Sequence, residues 1–287
     1  MNGTPSLLDA LRGSQPVIAA ELRPPRAELA ASEGRDAWID TYHAVRRLSS
    51  SGTYVFLTDS AVGTAEEDNL RHLVTNLGTD VPRDHIVPFL TCKHSLGYCL
   101  SYAERARHHG FPALVVLGGD RTVGTPRCVE HASELRGIIR QRGTPLVLGG
   151  WANPHADPHT QIGYLLDSAF SAEFYLTQIV SHHNSGAVER FIAAAARAGV
   201  TAPGIFGVFY YRSANPQTLR GLRQFLPVPS DGLEEEFAQG ATPQEICART
   251  LRALSDLGAR HFYISNLPLS RASRTLAEIL ELVRVAA

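Results

Sequence analysis

Val17-Ile18-Ala19-Ala20-Glu21-Leu22-Arg23-Pro24-Pro25-Arg26 is the stretch on which the fold turns. A short apolar run reads as a strand, and two consecutive prolines stop it. In a doubly wound dinucleotide-binding sheet, the first strand leads into a glycine-rich phosphate loop. Here Arg-Pro-Pro-Arg stands in that place. The open sheet thereby loses its main marker.

Working outward, similar runs recur between Gly, Pro and polar turns. Eight strands are expected: Val17–Glu21, Tyr54–Thr58, Ile86–Leu90, Ala113–Gly118, Pro145–Gly150, Phe174–Gln178, Gly204–Val208 and His261–Ser265. Most are apolar on both faces, as in parallel strands covered by helices. Helical spacing marks Asp36–Ser50, Tyr98–His109, Cys128–Arg142, Ala187–Ala198, Pro216–Phe225 and Pro243–Leu257. Strict alternation over about 250 residues is the arithmetic of a (β/α)8 barrel. No linker, repeat or low-complexity segment interrupts it, so residues 1–287 are expected to form a single (β/α)8 TIM barrel domain.

The 287 residues are 44% hydrophobic and 19% charged, which fits a compact globular chain. A net charge of −1 carries no global basic field for nucleic acid. No apolar run approaches the roughly 20 residues that span a bilayer. The first residues lack a basic start followed by an apolar stretch, so no secretory signal is expected and a cytoplasmic location is. Cys92, Cys99, Cys128 and Cys247 form no Cys-x-x-Cys pair, and read as buried thiols. Of 27 basic residues, Lys93 is the one lysine, a bias that codon usage explains.

A barrel carries its site at the C-terminal ends of its strands. Those ends are rich in polar groups: Glu21, Thr58-Asp59, Thr91-Cys92-Lys93-His94, Gly118-Gly119-Asp120, Asn153-Pro154-His155, Thr177-Gln178, Tyr210-Tyr211-Arg212 and Ser265-Asn266. Burial raises the pKa of a strand-terminal carboxylate, which makes Glu21 a candidate proton donor. The alternative is an ion pair with Arg23 or Arg26. Asp120 follows two glycines that let backbone pass close to a flat ligand; alternatively it caps a tight turn. Gln178 donates and accepts, which suits an amide-like heterocycle; alternatively backbone satisfies it. His155 and His159 lie in a proline-broken loop, a poor frame for metal ligation. His182 and His183 are placed in a surface loop, and no metal is expected. A metal-dependent hydrolase using His155, Asp157 and His159 stands as the remote alternative.

The ordered pieces Glu21-x-x-Pro24-Pro25-Arg26, Thr58, Leu90-Thr91-Cys92, Leu117-Gly118-Gly119-Asp120, Gly149-Gly150-x-x-Asn153-Pro154, Leu176-Thr177-Gln178, Ala198-Gly199-Val200-x-x-Pro203-Gly204-Ile205 and His261-Phe262-Tyr263-x-x-Asn266 resemble the methylenetetrahydrofolate reductase family. The resemblance implies reduction of 5,10-methylenetetrahydrofolate to 5-methyltetrahydrofolate, a step that serves one-carbon metabolism and methionine biosynthesis. It implies Glu21 as general acid, Asp120 as pterin anchor and Gln178 as a folate contact. Phe209, Tyr211 and Lys93 join the substrate residues. Thr58, Gly118, Gly119, Asn153 and His155 are assigned to the cofactor cleft.

Departures from the family bear on the flavin. Phe89 and Gly118 stand where the family usually has His and Arg, and the stretch from Thr160 to Phe170 has no cation. A pyrophosphate needs Arg, Lys or a helix N-terminus. The expectation is therefore a flavin-independent branch, with NADH or NADPH giving hydride directly and no tightly held FAD. An FAD-dependent reductase with a rebuilt flavin site and a non-catalytic folate-binding barrel are the alternatives. The choice of NADH or NADPH, the polyglutamate preference and any homo-oligomer are left open. Small molecules are the expected partners, with no nucleic acid or membrane.

Overall fold

The computed structural model describes residues 6–25, 29, 31–61, 74, 75, 77 and 81–285. Eight parallel strands close on themselves in chain order. They are β1 Ile18–Leu22, β2 Tyr54–Leu57, β3 Ile86–Thr91, β4 Ala113–Leu117, β5 Val147–Ala152, β6 Phe174–Val180, β7 Gly204–Phe209 and β8 His261–Ser265. β1 pairs with β2 and with β8, so the first and last strands complete the ring. The (β/α)8 barrel read from the alternation is the architecture observed.

The period of the strands divides the core into two parts. Ala19, Phe56, Val115, Phe174 and Tyr263 point inward and fill the barrel. Ala20, Val55, Leu114 and Ile264 point outward under the helices. Leu7 and Leu11, on the short helix α1 (Leu7–Arg12), belong to the inner cluster. Each buried Val, Leu, Ile or Phe among them contributes about 1.5–3 kcal/mol relative to exposure. Gly207 leaves the space for Tyr263, since a Cβ there would lie 2.4 Å from its ring.

Helices α2 (Ala31–Ser50), α3 (Leu96–His108), α4 (Ala132–Gln141), α5 (Pro158–Leu166), α6 (Ser185–Arg197), α7 (Pro216–Leu222), α8 (Ser230–Ala238), α9 (Pro243–Asp256) and α10 (Ala272–Val285) occupy the connections and the C-terminus. α3 begins at Ser95, whose side chain accepts from the Tyr98 N–H, and buries Cys99, Tyr102, Ala103 and Ala106 on one face. α9 begins with a capping box between Thr242 and Glu245, with Pro243 in its first turn.

Several boundaries differ from the sequence expectation. β5 runs on to Ala152, which puts Trp151 in the sheet rather than in the following loop. The helix expected from Cys128 starts at Ala132, because the Cys128 N–H instead donates to the Cys92 carbonyl at 2.7 Å. The proline-broken segment after Asn153 is the start of α5: Asp157 caps it, accepting from the Thr160 N–H at 2.8 Å, and Pro158 occupies the first turn. His182 and His183 lie at the surface as expected, His183 exposed, but in a 3-10 turn whose two rings both face Glu236.

Candidate active site

A cavity of about 450 Å3 opens at the C-terminal mouth of the barrel. Glu21, Thr58, Gly118, Gly119, Gln178 and Phe209 line it, as do Asp59, Thr91, Arg127, Phe225 and Ser265. Strands from opposite sides of the ring thus bring six of the expected residues together. Among the described residues, Asp120, Lys93, Tyr211, Asn153 and His155 do not line this cavity.

Glu21 sits at the end of β1, level with Phe56 of β2. Ser265 Oγ donates to its Oε1 at 2.6 Å. That bond favours the carboxylate, but burial outweighs it, and the Glu21 pKa is raised above the ordinary glutamate value. Of the two arginines considered from sequence, neither is tested as a partner by this hydroxyl contact. Arg23 is exposed, and Arg26 lies outside the described residues.

Gln178 occupies β6 where its register with β7 shifts between Leu176 and Ile179. Such an irregularity re-aims a side chain. Its Oε1 accepts from the Ile179 N–H at 2.9 Å, so backbone satisfies that end of the amide.

Asp59 was read from sequence only as a strand end. Its Oδ2 accepts from the Thr91 N–H at 2.6 Å and from Thr91 Oγ1 at 2.9 Å, and its carboxylate faces His94 Nε2 at 2.9 Å. The cavity therefore holds a second carboxylate besides Glu21. A sequence signal existed, since Asp59 and His94 both stood among the polar strand ends.

Asp120 lies beside the cavity on the loop after β4. Its Oδ1 accepts from the Thr122 N–H at 2.7 Å, from Thr122 Oγ1 at 3.0 Å and from the Val123 N–H at 2.9 Å. These bonds hold its pKa below the usual aspartate value. The turn-capping alternative is what the geometry shows. Lys93 is buried, and its Nζ donates to the carbonyls of Asp120 at 2.6 Å and Val123 at 2.7 Å. The one lysine fastens the Asp120 loop from within.

The two glycines before Asp120 accommodate the protein's own side chains. A Cβ at Gly118 would lie 2.7 Å from the Arg127 guanidinium. At Gly119, which has φ +74°, it would lie 2.5 Å from Lys93 Cγ. Arg127 thus places a cation over the position where the sequence lacks one, and its Nη2 donates to the Gly119 carbonyl.

Arg127, Gly118 and Trp151 also line a neighbouring cavity of about 560 Å3. Arg121, His131, Asn153 and Tyr164 lie in its wall. His155 is turned away: its Nε2 donates to the Ile179 carbonyl at 2.8 Å, while its backbone N–H donates to Asn153 Oδ1 at 3.1 Å. Phe209 packs against Tyr211 with ring centroids 4.8 Å apart and planes tilted by 50°. Tyr211 is buried, and its hydroxyl has no hydrogen-bond partner among the described residues. Phe225 is 59% exposed over the first cavity; it was expected to close the helix Pro216–Phe225, but α7 ends at Leu222 and leaves it in the following connection.

No protein-family model and no curated protein sequence matches the chain. Solved structures do match its fold. An uncharacterized protein from Clostridium thermocellum that binds two copies of 5-methyl-5,6,7,8-tetrahydrofolic acid superposes with a TM-score of 0.68 at 15% identity, covering 96% of this chain and 98% of its own. An F420-dependent secondary alcohol dehydrogenase, in complex with an F420-acetone adduct, superposes with a TM-score of 0.56 at 12% identity, over 94% of this chain and 99% of its own. At such identities the likeness is one of fold. Fold and site together define a (β/α)8 barrel with an acid-bearing cavity at its mouth. Among the described residues, no helix is long and apolar enough to cross a membrane.

Proposed function

We propose that the chain is an oxidoreductase reducing 5,10-methylenetetrahydrofolate to 5-methyltetrahydrofolate with hydride from NADH or NADPH, as one barrel domain in the cytoplasm. The observation that carries the reading is Glu21, a partly buried carboxyl with a raised pKa inside the mouth cavity. The folate part is supported by the barrel that binds 5-methyltetrahydrofolate, and the redox part by the F420-dependent barrel of the same architecture.

The chemistry asks for one proton and one hydride. The methylene carbon bridges two folate nitrogens, N5 and N10. Protonated Glu21 donates to N10, the N10–carbon bond breaks, and a cationic iminium remains at N5. Hydride from the reduced nicotinamide closes the balance, giving the methyl product and NAD(P)+. Transfer requires the two carbons to approach within about 3–3.5 Å. Gln178 and Phe209 hold the pterin edge and face, and Asp59 places negative charge near the developing cation. Asp120 stands beside the cavity rather than in its wall, and offers the carboxylate oxygen that its own turn does not use to the part of the pterin extending toward it. The neighbouring cavity takes the rest of the dinucleotide, with Arg121 and Arg127 facing its phosphates.

A flavin-dependent reductase is the second reading, and one observation favours it. Arg127 restores a cation over Gly118, beside Arg121 and His131. Against it, α5 contributes Gln161 and Tyr164 to that cavity, and its sequence holds no Arg or Lys. The purified protein decides. Colourless protein that oxidises NADH or NADPH with methylenetetrahydrofolate and no added flavin supports the first reading. A bound yellow chromophore released on denaturation supports the second. No NAD(P)H oxidation under either condition, with folate still bound, would leave a binding barrel.

A further inference from the structure

A second cluster of chemically capable side chains lies outside both cavities. β6 ends at Val180, and the turn after it carries His182 and His183. Glu236 reaches them from α8, and Thr250 and Arg249 from α9. His182 Nε2 lies 3.2 Å from Glu236 Oε1, and His183 Nε2 lies 3.0 Å from Oε2. The three potential ligand atoms fall within 4.8 Å of one another. We propose that His182, His183 and Glu236 bind one divalent transition-metal ion of the zinc class.

Geometry and donor type support this together. Ligand atoms about 2.0–2.2 Å from a tetrahedral ion lie roughly 3.4 Å apart, close to the separations seen. Two imidazoles and a carboxylate suit zinc, cobalt or nickel rather than magnesium or calcium. His182 Nδ1 is 2.8 Å from Thr250 Oγ1, an outer contact that fixes the ring and presents Nε2. The His183 ring packs over Gly232, where any Cβ would lie 2.4 Å from it.

Arg249 is the competing cation. Its Nη1 donates to Glu236 Oε1, which neutralises the buried carboxylate when no metal is present. The Arg249 side chain is 47% exposed and free to swing into water. Alternatively it keeps Oε1 while Oε2 binds the ion. The ion would clamp the exit of β6 to α8, the helix that follows the Phe225 and Leu226 wall of the mouth cavity. The site is independent of the reductase reading, and neither stands on the other.

The test uses metal-stripped, full-length protein titrated with ZnCl2 by calorimetry, and with CoCl2 by visible absorption. One ion per chain is expected, with a cobalt spectrum of low coordination number and no saturable response to MgCl2. Zinc should raise the melting temperature of the native protein. His183→Ala and Glu236→Gln should each weaken zinc by ~10-fold or more and abolish that rise, whereas Arg249→Met should bind at least as tightly. Absence of saturable zinc binding to the native protein overturns the proposal without recourse to any variant. Binding that survives both ligand substitutions unchanged overturns it equally.

Discussion

Ser265 Oγ donates to Glu21 Oε1 at 2.6 Å, so the last strand of the barrel holds the acid carried by the first. Closure of the ring makes this contact. Residues 244 apart in sequence become neighbours because β1 pairs with β8. The hydroxyl steadies the charged form while the surrounding protein disfavours it, and burial prevails.

Glu21→Gln removes the proposed proton donor and keeps the shape. Turnover should fall roughly 10²-fold or more, the usual scale for a lost general acid, with little change in KM. Steady-state NAD(P)H oxidation measures it, and near-native turnover would remove Glu21 from the chemistry.

The same variant has a stability signature. A carboxyl whose folded pKa is raised above 4.5 carries no penalty below the unfolded value. The penalty grows as pH rises from the unfolded toward the folded pKa, where the native state holds a proton the unfolded state has released, and it is complete above the folded value. Glu21→Gln should therefore melt above the native protein at pH 8, and the gap should close near pH 4. Melting curves across pH test the sign.

Ser265→Ala deletes the bond that opposes desolvation. The Glu21 pKa should move further up, and the alkaline limb of the kcat profile should shift to higher pH. A profile with an unmoved limb would mean that the hydroxyl contact does not tune the acid.

Arg127→Ala removes the guanidinium shared by the two cavities. KM for NADH or NADPH should rise ~10-fold, the scale of a lost charge-assisted bond of about 1.5 kcal/mol, while kcat changes little. A selective rise in the folate KM would instead assign Arg127 to the folate.

Lys93→Met breaks two buried bonds from an ammonium to the carbonyls of Asp120 and Val123. Urea denaturation should show a loss of about 1.5–3 kcal/mol, the range for a bond to a charged group. An unchanged unfolding midpoint would show that the loop is held by other contacts.

The barrel was legible because its strands are apolar on both faces and separated by helical spacing, a signal carried within each short segment. Pro158 illustrates where that signal misleads: a proline that reads as a break stands in the first turn of α5, where its missing N–H costs nothing. α1 spans six residues, too few for a helical period to declare itself. α8 lies between Phe225 and Pro243, where the sequence marks no element.

What the chain determined by itself is the alternation of strands and helices, and with it the ends at which polar residues collect. Glu21, Thr58, Gln178 and Phe209 meet in one cavity because each stands at or near the C-terminal end of a strand of the same ring. Tertiary structure decided which side chains turn inward and which bind their own loops. Lys93 and Asp120 hold one another's segment, Arg127 stands over Gly118, and Glu236 meets two histidines more than fifty residues away. The physical reason is range. Periodicity and turn chemistry act over a few residues, whereas these contacts exist only once closure of the barrel brings distant segments within hydrogen-bond reach.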